Sequence, residues 1–260
     1  MPGSAVLYNK REHIVDITLN RPEVDNLINR QLAQELAEAC QKINQDEDVH
    51  VVTITGAGDV FCRGSELEKP DEAKGSPAKP EELVVPGNAA TSIAGIDRPV
   101  IAVINGDALG QGLELALSCD IRIASEKARF GFPQAALGLI PMDGGTQRLP
   151  RLVGSGKALE LIYTADTIGA EEALEIGLVS KVVPADNLAQ EVETLAQAIA
   201  GKAPIALRYI KEAVNKGLDL TLEQGLRLEA DLYFLLHTTA DRTEGIRAFL
   251  EKRPPKFEGQ

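Results

Sequence analysis

Apolar residues recur along this chain first in short runs and then with a helical period, and the way the two alternate sets the expected fold. His13–Asn20 and Val49–Thr55 carry β-branched residues in runs too short for a helix, so both read as strands. Between them Leu32, Leu36, Cys40 and Ile43 recur every three or four positions and mark one buried face of a helix. The order repeats further along. Pro99–Ile104 reads as a strand, Leu113–Cys119 as an apolar helix starting near Gln111, and Asp120–Ala124 as the next strand. Such alternation stacks a sheet against helices, an α/β architecture. Past Pro184 helical periodicity takes over: Leu188, Val192, Leu195 and Ile199 form one stripe and Ile205–Val214 a second. Asp241 and Glu244 have the spacing of a capping box for a last helix ending near Lys252. The pattern therefore predicts a core over residues 1–200 and a helical region over 201–260. Glu68–Asn88, with four prolines and two glycines and no period, reads as a mobile surface loop beside Ser65 or equally as a plain exposed excursion.

Composition narrows the partners. With 260 residues, 44% of them hydrophobic, the chain can bury a large core. A net charge of −12 opposes non-specific binding to nucleic acid or to an anionic membrane, so neither is expected as a partner. Cys40, Cys62 and Cys119 form no metal-ligand spacing and read as reduced structural thiols of a cytoplasmic protein. His13, His50 and His237 share no spacing either, which leaves no metal site in view. No 18-residue apolar run and no apolar leader occurs, so neither membrane spanning nor export is expected.

The candidate chemistry concentrates between Pro99 and Pro150. Gly106, Gly110 and Gly112 permit sharp turns before the apolar helix, whose first N–H groups lack partners and sit at the positive end of the helix dipole. A carbonyl or carboxylate aimed at that turn would be stabilised, and Glu114 lies beside it. Read alone, Glu114 also fits a capping role near the start of its own helix.

These segments resemble the crotonase (enoyl-CoA hydratase/isomerase) superfamily over nearly the whole chain. The resemblance is carried by LNRP at 19–22 with Asn26, ITGAGDVFCRGSELE at 54–68, RPVIAVINGDALGQGLELALSCDIRIAS at 98–125, FGFPQAALGLIPMDGGTQRLPRLVG at 130–154, GLVSKVV at 177–183 and AFLEKR at 248–253. It implies a repeated ββα spiral core with a helical C-terminal trimerisation region, assembled as a homotrimer or a dimer of trimers. It also implies an acyl-CoA thioester as substrate, with coenzyme A entering as part of that substrate and no separate cofactor. The thioester oxygen would be held by the backbone N–H groups of Ser65 and Gln111, where an enolate gains charge and preorganised donors stabilise it. Glu114 corresponds to the first of two glutamates that hydratases use to hold and activate water. Glu66, Leu67 and Glu68 would lie along the substrate, and Phe249 and Lys252 would reach the nucleotide portion of CoA, often on a neighbouring subunit.

The chain departs from the family pattern at three positions. Gln111 replaces the middle glycine of the usual triple-glycine turn, which leaves the N–H in place but adds a side chain. Gln134 stands where the second glutamate is expected; an amide can hold a water but cannot exchange a proton at neutral pH. Asp143 aligns with a functional aspartate of some members, such as the aryl-CoA dehalogenases and the dihydroxynaphthoyl-CoA synthases. It also fits an N-cap of a helix over Thr146–Leu152, and the sequence leaves both open. Hydration or isomerisation of an enoyl-CoA is the expected reaction. The alternatives are acyl-CoA hydrolysis or decarboxylation, or an acyl-CoA-binding relative without turnover.

Overall fold

The chain opens as a hairpin, β1 (Val6–Arg11) lying antiparallel to β2 (Ile14–Leu19) with Val6 opposite Leu19 and Arg11 opposite Ile14. The computed structural model describes residues 3–66 and 88–260. Helix α1 (Arg30–Gln45) is started by Asn29, whose side chain accepts from the Leu32 N–H at 2.9 Å, and it buries the four-residue stripe from Leu32 to Ile43. Then come β3 (Val51–Gly56), the short α2 (Ala89–Ala94), β4 (Val100–Ile104), β5 (Ala108–Leu109), α3 (Gln111–Leu117), β6 (Ile121–Ser125) and β7 (Arg129–Gly131). They are followed by α4 (Gly145–Val153), α5 (Ser155–Thr164), β8 (Thr167–Gly169), α6 (Ala170–Glu175) and β9 (Lys181–Val183). The chain ends in α7 (Leu188–Ala200), α8 (Pro204–Gly217), α9 (Leu222–Leu236) and α10 (Ala240–Glu251).

Among the described residues the main sheet runs β1-β2-β3-β4-β6-β9, parallel except at its first pair, and a smaller sheet runs β5-β7-β8. Strand β4 shows why its sequence is apolar throughout. Val100, Ala102 and Ile104 face the main core with Leu36 and Ile93, whereas Ile101 and Val103 face a second core with Val192 and Ala196 of α7. Burial on both faces removes the polar alternation that a half-exposed strand would show. Chain leaving the carboxyl ends of β3 and β4 enters the loops that carry Ser65 and Gln111, the edge where open parallel sheets place ligands.

One helix start differs from the expected one. Asp241 and Glu244 form no capping box: Thr239 is the N-cap of α10 and accepts from Arg242 N–H at 3.3 Å. The C-terminal tail folds back and gives Asp241 better donors, the N–H groups of Glu258 and Gly259 at 2.8 and 3.0 Å, while Glu244 pairs with Arg253. The capping box belongs instead to α9, between Thr221 and Gln224. Most of the Glu68–Asn88 segment lies outside the described residues. Cys40, Cys62 and Cys119 are buried free thiols, each pushed up to about 12 by burial. No group of three or more potential metal ligands, and no helix long and apolar enough to cross a membrane, occurs among the described residues.

Candidate active site

The segment holding Ser65 is stitched between two others. Ile28 N–H donates to Gly64 O at 2.8 Å and Glu66 N–H to Ile28 O at 2.9 Å; on the other side Cys62 N–H donates to Asp107 O at 2.9 Å and Leu109 N–H to Cys62 O at 3.0 Å. These bonds bring Ser65 to the head of α3. There Gly110 takes φ +52°, ψ −124°, a conformation that turns the chain from β5 into the helix and that a side chain would strain. Gln111 is the first residue of α3 and is buried, and its amide joins Ser65: Ser65 Oγ–H donates to Gln111 Oε1 at 2.7 Å.

Glu114, 2% exposed, does not cap its own helix. Its Oε1 accepts from the N–H groups of Asp143 and Gly145 at 2.7 and 2.8 Å, so the loop before α4 reaches over to hold it. Burial raises the affinity of Glu114 for a proton above that of an ordinary glutamate; the two backbone bonds oppose this, and the nearby Asp143 charge adds to it.

Asp143 corrects one of the two readings left open by the sequence. Helix α4 begins at Gly145 with Gly144 as an N-cap that gives it no side-chain bond, so Asp143 is not the cap of its own helix. Its carboxylate instead caps α2 from across the site. Oδ2 accepts from Ala90 N–H at 2.7 Å and from Gln111 Nε2–H at 3.3 Å, and Oδ1 from Thr91 N–H and Oγ1–H at 3.2 and 3.0 Å. The reason is positional: α2 has no side-chain cap of its own, since Asn88 makes none, and Asp143 stands where the orphan donors point. Arg148 holds the same loop by donating to Asp143 O at 2.7 Å.

Gln134 sits in the 3-10 turn Pro133–Leu137 with its amide nitrogen toward Gly110; a Cβ built on Gly110 would lie 3.3 Å from Gln134 Nε2. Its Oε1 is buried and accepts from no group among the described residues. After it comes an apolar lip: Leu137, Leu139, Ile140 and Met142 are 51–73% exposed in the stretch leading to Asp143.

The other candidate residues are placed apart. Glu66 is exposed and pairs with Arg21 at 3.1 Å, and Leu67 and Glu68 lie outside the described residues. Phe249, 83% exposed, and Lys252, the left-handed C-cap of α10, have no hydrogen bond or ion pair with Ser65, Gln111 or Glu114 among the described residues. Sequence reasoning missed Thr91, Arg148 and the Ser65–Gln111 contact. It also missed Asp107, which is clamped between Arg129 at 2.7 Å and Arg63 at 2.9 Å and held below the ordinary carboxylate value by those cations.

Similarity to known proteins extends over nearly the whole chain. The enoyl-CoA hydratase/isomerase family model matches residues 9–260. A crotonyl-CoA hydratase of Syntrophomonas wolfei is 41% identical over 253 residues, 97% of each chain. A short-chain-enoyl-CoA hydratase of Clostridium acetobutylicum is 39% identical over 256 residues, 98% of this chain and 97% of that one. The crystal structure of an enoyl-CoA hydratase from Bacillus anthracis superposes with a TM-score of 0.90 at 41% identity, covering 98% of this chain and 100% of that one. With the motif residues gathered around the head of α3 and similarity running nearly end to end, the chain belongs to the enoyl-CoA hydratase/isomerase family of the crotonase superfamily.

Proposed function

We propose that the protein adds water to 2-enoyl-CoA thioesters with Glu114 as the single proton carrier. One observation carries this reading: Glu114 is buried with Oε1 held by two backbone N–H groups, and among the described residues neither its Oε2 nor the buried Oε1 of Gln134 receives a hydrogen bond. Gln134 Oε1 can accept from the substrate water and hold it for attack. The water oxygen bonds to Cβ, its proton passes to Glu114 Oε2, and the double-bond electrons move onto the thioester oxygen. The backbone N–H groups of Ser65 and Gln111 hold the resulting enolate. Glu114 then delivers the proton to Cα, which yields the 3-hydroxyacyl-CoA and regenerates the carboxylate. The raised proton affinity suits a group that must take and return one proton near neutral pH. The apolar lip from Leu137 to Met142 suits the acyl chain, and Glu66, Leu67, Glu68, Phe249 and Lys252 are assigned to the rest of the CoA ester by resemblance.

Isomerisation is the second reading. Both Asp143 oxygens are taken by donors, so among the described residues Glu114 is the site carboxylate left to act, and one carboxylate suffices to carry a proton from C4 to C2. Crotonyl-CoA and a 3-enoyl-CoA, each incubated with the purified protein, separate the two. Formation of 3-hydroxybutyryl-CoA, reduced about 10- to 100-fold by Gln134→Leu through loss of the water's acceptor, is the expected result. An enzyme inert toward crotonyl-CoA that converts the 3-enoyl ester overturns hydration, release of free CoA points to hydrolysis, and binding without turnover points to a non-catalytic relative.

A further inference from the structure

The two residues assigned to the oxyanion hole need only their backbone N–H groups, yet both carry side chains and those side chains meet. Ser65 Oγ and Gln111 Oε1 are 2.7 Å apart, and Gln111 Nε2 lies 3.3 Å from Asp143 Oδ2. A carboxylate without its proton only accepts, so the Gln111 amide turns its NH2 to Asp143 and its oxygen to Ser65, which commits the Ser65 hydroxyl as donor. Asp143 is itself fixed by three donors from Ala90 and Thr91. The amide of Gln111 is therefore oriented at both ends.

The geometry shows what this chain of bonds restrains. Each assigned donor belongs to a peptide that follows a glycine, Gly64 at φ +116° and Gly110 at φ +52°, and a residue without Cβ restrains its following peptide least. On the carbonyl side each peptide is held, Gly64 O by Ile28 N–H at 2.8 Å and Gly110 O by Glu114 N–H at 3.1 Å. Between the two segments the backbone bonds among the described residues are those of Cys62 with Asp107 and Leu109. Toward the site, the Ser65–Gln111 bond continues that ladder with side chains.

We propose that the Ser65–Gln111–Asp143 chain sets the separation of the two oxyanion-hole donors, making the Ser65 hydroxyl and the Gln111 amide positioning residues for the reaction. The donors must lie about 2.7–3.1 Å from a developing oxyanion, so a small drift of either segment weakens transition-state stabilisation more than substrate binding. This rests on the oxyanion-hole assignment above.

The test uses Ser65→Ala, Gln111→Leu, the double variant and Ser65→Thr, with crotonyl-CoA kinetics and the absorbance of a bound chromophoric aryl-enoyl-CoA, which shifts to the red when its carbonyl is polarised. Each single variant is expected to lose about three- to thirtyfold in kcat, with KM changed less than about twofold and a smaller red shift. Because the pair acts as one bridge, the double variant should be no slower than the worse single variant. Ser65→Thr, which keeps the hydroxyl, should recover both kcat and the shift. Multiplying losses in the double variant, unchanged kcat and shift in the singles, or a Ser65→Thr enzyme as slow as Ser65→Ala would each overturn the proposal. Absence of any red shift with the wild-type enzyme would instead remove the oxyanion hole on which it rests.

Discussion

At Glu114 two forces oppose each other: burial favours the neutral acid, and the N–H groups of Asp143 and Gly145 favour the anion. Burial is the larger, so the folded protein holds this proton more tightly than the unfolded chain does. The sign of the linkage follows. The folded state binds the extra proton between the ordinary glutamate value and the raised one, so stability is fully present below the ordinary value and declines as pH rises through the raised one. Glu114→Gln keeps the shape and the acceptor for both N–H groups but removes the buried charge. Its Tm at pH 7 is expected to exceed that of the wild type, with the gain vanishing below about pH 4, near the unperturbed carboxyl value. Hydration should fall on the order of 10²–10⁴-fold in the same variant. Undiminished turnover would remove Glu114 from the mechanism.

At the scale of elements, Asp143 and the His13–His50 pair show how distant segments are joined. Asp143 caps α2 from 52 or 53 residues away in sequence. Asp143→Ala is expected to lower stability by about 1–2 kcal/mol through loss of the cap. Asp143→Asn keeps an acceptor there, and the bonds to Glu114 come from backbone N–H groups that no side-chain change removes. Its turnover should stay within about tenfold of wild type, with both limbs of the pH profile intact. A steep rate loss at unchanged Tm would make Asp143 a second proton carrier. His13 and His50 stack with ring centroids 4.1 Å apart, and His50 Nδ1 lies 3.0 Å from Ala200 O, which ties the β1–β2 turn to the end of α7. Burial lowers the proton affinity of His50 and outweighs the hydrogen bond to Ala200 O, which raises it. The unfolded chain then binds more protons below about pH 6.5, so stability is lost as pH falls through that value. A Tm that drops between pH 7.5 and 5.5, with a shallower slope in His50→Gln, is the expected result; equal slopes would rule the pair out as its source.

These elements also mark how far the sequence could be read. The strands at 14–19, 51–56 and 100–104 and the helices at 30–45 and 111–117 stood out because each buries residues in a local period that burial on the sheet dictates. Short pieces such as α2 and β5 have too few residues to show a period, and their stability comes from partners elsewhere in the chain. The candidate site divides in the same way. Ser65, Gln111, Glu114 and Gln134 lie in local motifs, so their positions were visible. Which oxygen each donor occupies was not, because the partners of Asp143 and Gln111 arrive from segments about 30 to 50 residues away. The expected capping box at Asp241 failed for a related reason, since a returning tail outcompeted Glu244.

On the scale of the whole molecule, the C-terminal helices carry many exposed apolar side chains among the described residues. Ile210, Val214 and Leu218 on and after α8, Leu222, Leu226, Tyr233 and Phe234 on α9, and Phe249 and Leu250 on α10 are all 55–83% exposed. Large exposed apolar residues in such number are what a surface used in association would present. The resemblance implies a homotrimer or a dimer of trimers, and on that expectation the solution mass is three or six times 27.9 kDa. Leu222→Glu with Leu226→Glu places charge in that surface and should yield a folded monomer. The monomer would keep Ser65, Gln111, Gln134 and Glu114, which all come from one chain. If Phe249 and Lys252 serve the CoA nucleotide of a neighbouring subunit, the monomer's KM for crotonyl-CoA should rise about tenfold or more, while its kinetics with crotonyl-pantetheine, which lacks the nucleotide, should match the wild type. A monomer with an unchanged KM for the CoA ester would assign those two residues to packing alone. Equal losses with both thioesters would show that the interface supports the catalytic loop itself.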